Sequence, residues 1–110
     1  MRNYSAAIAW CIACLLLQAC ARPAAAAPVK HSVVIEGMAY VPAVVKVKKG
    51  DRITWVNKDF FPHTVTAANR SFDSGEIATG KSWTYTVSAR GKQAYVCTLH
   101  PAMKGQIVAD

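Results

Sequence analysis

The chain has 110 residues, with 13 Lys and Arg against 6 Asp and Glu, a formal net charge of +7. That length leaves room for one small domain and excludes a multidomain enzyme. The basic balance on its own would admit a nucleic-acid partner, but the N-terminal residues argue against one.

Arg2 precedes an unbroken apolar run at residues 6–17 (AAIAWCIACLLL). The run is too short to cross a bilayer and has the length of the apolar core of a secretory signal. A Pro/Ala-rich stretch at residues 22–28 separates it from the rest of the chain. Residues 1–27 therefore read as a signal peptide with a short tether, and residues 28–110 as the folded domain. No twin-arginine pair is present, so export by the general secretory route is expected. Two processing outcomes stay open. Leu17-Gln18-Ala19-Cys20 resembles a lipobox, which would make Cys20 a lipid anchor, although Gln18 is larger than the residue usual there. Cleavage at a small-x-small site, around Cys20 or within residues 24–27, would release the domain.

From Pro28 onward eight Lys and three Arg face four Asp and two Glu, a net of +5. Export removes nucleic acid as a partner. Lys46, Lys48, Lys49 and Lys92 read either as solvated strand faces or as a surface for an acidic protein or anionic lipid.

The domain reads as strands throughout. Residues 32–36 (SVVIE) are the first. Residues 44–48 (VVKVK) alternate Val with Lys, and Lys49-Gly50-Asp51 supplies a turn into residues 52–57 (RITWVN), with Ile53 and Trp55 on one face. In residues 63–67 (HTVTA), His63 shares a face with Val65 and Ala67, and Thr64 and Thr66 point outward. Residues 82–87 (SWTYTV) alternate most cleanly, and residues 92–97 and 104–109 complete the set. No segment has apolar spacing of 3.6 over three turns, and no repeat is visible. The pattern predicts an all-β, antiparallel β-sandwich, and a monomer.

Cys11 and Cys14 lie in the apolar run and Cys20 at its edge, so the domain keeps Cys97 alone and cannot form an internal disulfide. A lone thiol in an oxidising compartment needs an occupation, and metal ligation is one. In Cys97-Thr98-Leu99-His100-Pro101-Ala102-Met103, a Cys, a His and a Met recur at every third residue on a segment between two strands. A loop can turn such residues onto one point; a strand would send them to opposite faces. His63, just after Pro62, can project at the same end. Singly, each has an ordinary reading as a core or surface residue. Together, two imidazoles, a thiolate and a thioether make the donor set of a blue copper site, whereas zinc seldom takes thioether. His31 receives no role.

Tyr95-Val96-Cys97-Thr98-Leu99-His100-Pro101-Ala102-Met103, with Phe61-Pro62-His63 and Val47-Lys48-Lys49-Gly50-Asp51 upstream, resembles the cupredoxins, the type 1 blue copper proteins. Within them the short Cys-x2-His-x2-Met spacing is most similar to the amicyanins. The resemblance implies a Greek-key sandwich, one copper held by His63, Cys97, His100 and Met103, and one-electron transfer in the periplasm. Redox partners such as a dehydrogenase, a cytochrome c or an oxidase would dock near His100, on a patch formed by Leu99, Pro101, Ala102, Phe61 and Pro62 and widened by Met38 and Tyr40. Amicyanin-type sequences usually carry Asn where this chain has Thr64, so the ligand loop must be braced differently here. The domain also starts later, as if lacking an N-terminal extension. The alternative function is a copper-binding protein that buffers or delivers the metal to another exported protein. A multicopper enzyme is excluded, since only His31 remains for a second site.

The anchor is testable by mass spectrometry of protein from its own host. An acylated Cys20 at the N-terminus, lost in Cys20→Ala, is the lipobox outcome; an unacylated N-terminus just after Ala21 or within residues 24–27 is the other.

Overall fold

Val, Ile, Trp and Tyr recur at every second position with Thr, Lys and Ser between them, so each segment turns one apolar face inward. The computed structural model describes residues 26–110, and there this pattern gives eight strands. They are β1 (Lys30–Glu36), β2 (Ala39–Val41), β3 (Val44–Val47), β4 (Arg52–Asn57), β5 (Thr66–Ala67), β6 (Ser82–Thr86), β7 (Gly91–Val96) and β8 (Lys104–Ala109). Two four-stranded sheets result, ordered β2-β1-β4-β6 and β3-β8-β7-β5. The signal segment and Cys11, Cys14 and Cys20 lie outside the described residues; among those described, Cys97 is the one free cysteine.

The all-β sandwich matches expectation, with three differences in detail. Its ladders are not all antiparallel: β1 runs parallel to β4 and β3 parallel to β8. Every connection from β2 to β7 changes sheet, so neighbours within a sheet need not be joined by hairpins. The short β2 was not anticipated. It folds back on β1 through Gly37 and Met38, which both have positive φ (62° and 58°), the backbone a two-residue hairpin turn requires. Residues 63–67 do not form one strand either. Only Thr66 and Ala67 pair with β7, while His63 makes an isolated bridge to Ile77.

Val33, Ile35, Ile53 and Trp55 of one sheet meet Val45, Tyr95 and Ile107 of the other, all buried. An aromatic chain crosses this core. Tyr40 sits edge-on to Tyr95 at 4.7 Å and Tyr95 edge-on to Trp55 at 5.5 Å. Trp55 then contacts Trp83 at 5.6 Å, and Phe72 covers Tyr85 at 4.3 Å on the flank. Trp55 Nε1–H donates to the Tyr95 hydroxyl at 3.3 Å, and burial pushes that phenol up to about 12.

At one end of the sandwich, Asp51 ties the chain together. Its carboxylate accepts from the Val29 and Lys48 amides at 3.0 and 2.9 Å and lies 2.9 Å from His31 Nε2. The Val29 amide, His31 and the Lys48 amide hold the Asp51 carboxyl down at about 2. His31, which had no assigned role, is thus a structural partner far from the other histidines.

Gly105 lies opposite Tyr95 in the β7–β8 ladder. A Cβ there would overlap the Tyr95 ring, which packs edge-on against Tyr40 and Trp55. Gly105→Ala should therefore destabilise the domain by about 1–3 kcal/mol. Thermal unfolding checks this: a melting temperature within a degree of wild type would mean that the ring can yield.

Candidate metal centre

The site is built at the end of the sandwich away from Asp51, where β7 runs out. Cys97 follows β7, and three backbone hydrogen bonds close the loop after it. The His100 amide donates to the Cys97 carbonyl at 3.3 Å, the Met103 amide to the His100 carbonyl at 2.9 Å, and the Cys97 amide to the Met103 carbonyl at 3.1 Å. Cys97, His100 and Met103 are thereby held at three-residue steps around one turn. His63 arrives from the opposite side, its amide and carbonyl both paired with Ile77.

Cys97 Sγ lies 3.7 Å from His63 Nδ1 and 3.8 Å from His100 Nδ1, and the three donor atoms fall within 4.8 Å of one another. A metal bonded to nitrogen at about 2.05 Å and sulfur at about 2.3 Å, with angles of about 110–120°, separates the two donors by about 3.6–3.8 Å. The spacing fits a shared ion. His63 and Cys97 are fully buried, Met103 nearly so, and His100 half-buried. The sequence-predicted residues are brought to one end of the fold, with Met103 closing the loop that carries His100.

Asp59 was missed by sequence reasoning. It accepts from His63 Nε2 at 2.8 Å and from the Gly37 and Met38 amides at 2.7 and 3.0 Å. Burial pushes its carboxyl up, but the Met38 amide, His63 and the Gly37 amide outweigh that and hold it below the usual range. With its Nε2 proton committed to Asp59, His63 presents a lone pair at Nδ1, the tautomer a metal needs. Asn57 supports this corner: its side-chain amide donates to the Phe61 and Ile77 carbonyls, and its oxygen accepts from the Asp59 amide. The available signal was a carboxylate four residues before an imidazole in Asp59-Phe60-Phe61-Pro62-His63.

Thr64 and Thr66 do not point outward, as alternation suggested; both are buried. The Thr64 amide donates to Cys97 Sγ at 3.3 Å, so this residue's backbone serves the sulfur and not a ladder. Its hydroxyl accepts from the Thr98 amide at 2.9 Å and lies within 3.1 Å of the Thr98 and Thr66 hydroxyls. Thr66 in turn donates to Asp73 at 3.0 Å. This run of hydroxyls is how the chain braces its ligand loop without Asn.

Around His100 the surface is apolar. Leu99, Pro101, Ala102, Phe61 and Pro62 are exposed, with the Phe61 ring 6.4 Å from that of His100. Met38 joins them at 40% exposed, and Phe60, not anticipated, protrudes at 93%. Tyr40 does not widen the patch: it is buried, and its hydroxyl donates to the Thr64 carbonyl.

The family model for copper binding proteins of the plastocyanin/azurin family matches residues 27–110. Amicyanin from Paracoccus versutus is 29% identical over 97 residues, which span 81% of this chain and 74% of that protein. Chloroplastic plastocyanin from Tetradesmus obliquus is 32% identical over 98 residues, 77% of this chain and 68% of that one. The structure of a reduced amicyanin variant superposes with a TM-score of 0.70 at 27% identity, covering 77% of this chain and 86% of the other. The fold, the donor spacing and these likenesses agree, and the chain belongs to the plastocyanin/azurin family of copper-binding proteins.

Proposed function

We propose that the domain is a periplasmic one-electron carrier whose copper is held by His63, Cys97, His100 and Met103. The observation that supports this most directly is the Cys97 sulfur flanked by two imidazole Nδ1 atoms at 3.7 and 3.8 Å, with only His100 reaching the surface. Bound copper supplies a Cu(I)/Cu(II) couple with a covalent path through thiolate.

The chain's own residues do the rest. Asp59 keeps His63 from turning, and the backbone-closed loop holds Cys97 and His100 in register, so the donors have little freedom to rearrange between oxidation states. The Thr64 amide draws electron density from the Cys97 sulfur. Pro101 has no N–H with which to add a second such bond. Met103 would add a weak thioether donor to the set. His100 offers the edge through which an electron enters or leaves, and the apolar residues around it let a partner approach without water between. An exported dehydrogenase, cytochrome c or oxidase is the class of partner this surface suits. Copper delivery fits less well, because transfer to another protein needs an exchangeable ion, and His63, Cys97 and Met103 are buried.

A visible spectrum after adding Cu(II) tests the site. Wild type should show a strong thiolate-to-copper charge-transfer band that Cys97→Ser abolishes; Met103→Leu should keep the band and raise the reduction potential. A colourless protein that prefers zinc would sink the reading. Docking is tested by Ala102→Glu, which buries or repels a charge at the patch and should slow electron exchange with a partner about tenfold or more. Unaltered rates would remove the patch from the mechanism.

A further inference from the structure

The domain's charge is not spread evenly. At the end opposite the metal centre, Lys30 and Arg52 pair across β1 and β4. Lys48 and Lys49 form the turn that Asp51 closes. Lys46 and Lys92 flank Val108 from β3 and β7, one residue from the strand ends, and Arg90 stands in the turn before Gly91. All seven side chains are exposed. The acids at this end are Asp51, already engaged by His31 and two amides, and Asp110. The remainder of the domain carries four cations and four carboxylates, so the +5 resides entirely at this end. Among the described residues, neither ion pair uses a Lys or an Arg.

We propose that this basic end is a docking surface for an anionic phospholipid bilayer, with the metal centre turned away from the lipid. The route of the chain favours lipid over an acidic protein. Ala26, Ala27 and Pro28 form one wall of a hollow of about 670 Å³ here, beside Lys46, Lys48 and Arg90. Whatever precedes Ala26 is therefore tethered to this end. Cys20 stands six residues upstream, a reach of at most about 20 Å when extended. A lipid on Cys20 would hold the basic end near the headgroups. Surface charges act there over a Debye length of about 8 Å. An anchor and a basic patch are two signals that reinforce one another. A strand of six or seven residues then sets the ligand loop about 20 Å above the surface, leaving the uncharged patch around His100 free.

Lysine acetylation footprinting of the exported protein on vesicles tests this whether or not Cys20 carries lipid. On vesicles containing phosphatidylglycerol, the five lysines of the basic end should be acetylated about fivefold or more slowly than on pure phosphatidylcholine, with the protection lost in about 0.5 M salt. Lys58, Lys81 and Lys104 should react equally on both. Absence of protection, uniform protection, or protection of Lys58 and Lys104 would overturn the proposal. So would protection by polyglutamate without protection by vesicles, which would point to an acidic protein. The readout involves no copper, so its failure is separate from any failure of the proposed function.

Discussion

The metal end depends on one carboxylate. Asp59 is buried where a charge is costly to leave unpaired, and it is kept ionised by donors from two places in the chain: the Gly37–Met38 turn and the His63 ring. Because the same group satisfies both, the hairpin geometry and the ring orientation cannot vary independently. Removing the carboxylate would free two turn amides whose residues sit at positive φ, and would let the imidazole choose its tautomer. The positioning of His63 is thus a property of the β1–β2 hairpin as much as of the segment that carries it.

The threonines solve a second problem. Opposite the sulfur, the chain has to bury hydroxyls and still hold a loop in place. Thr64 uses its amide for Cys97, its carbonyl for Tyr40 and its hydroxyl for Thr98 and Thr66. Each buried polar group finds a partner, so the cost of burial is offset and the loop is pinned at Thr98. Asp73, at the far end of the hydroxyl run, fixes its direction.

The ligand set and the sheet-forming segments were legible in the sequence because both are local signals. Cys97, His100 and Met103 are close along the chain, and residues 82–87 and 104–109 alternate cleanly. What was not legible depended on long-range pairing. Nothing in Val44–Val47 says that it will lie parallel to β8. The alternation at residues 63–67 predicted two outward threonines because periodicity counts polar side chains as solvent-seeking, and here other side chains take the place of solvent. Asp59 reads as one more charge in a loop until the Gly37–Met38 turn is known to lie above it. Tyr40, just after that turn, had the same difficulty: its hydroxyl had a buried carbonyl to reach.

The aromatic chain gives the two halves of the metal centre unequal standing in the fold's dynamics. The Thr64 carbonyl holds the Tyr40 hydroxyl, and Tyr40 packs on Tyr95 and Tyr95 on Trp55. The segment that carries His63 and donates to the Cys97 sulfur is therefore locked into the centre of the core. His100 rides on a loop whose Thr98, Leu99, Pro101 and Ala102 all face solvent. In hydrogen-exchange terms, the amides of residues 63–65 and 95–97 belong with the global opening of the domain, and those of Leu99, His100 and Ala102 with a cheaper local one. The centre therefore has an inner wall built into the core and an outer side, at His100, that rests on the hydrogen bonds of its own loop.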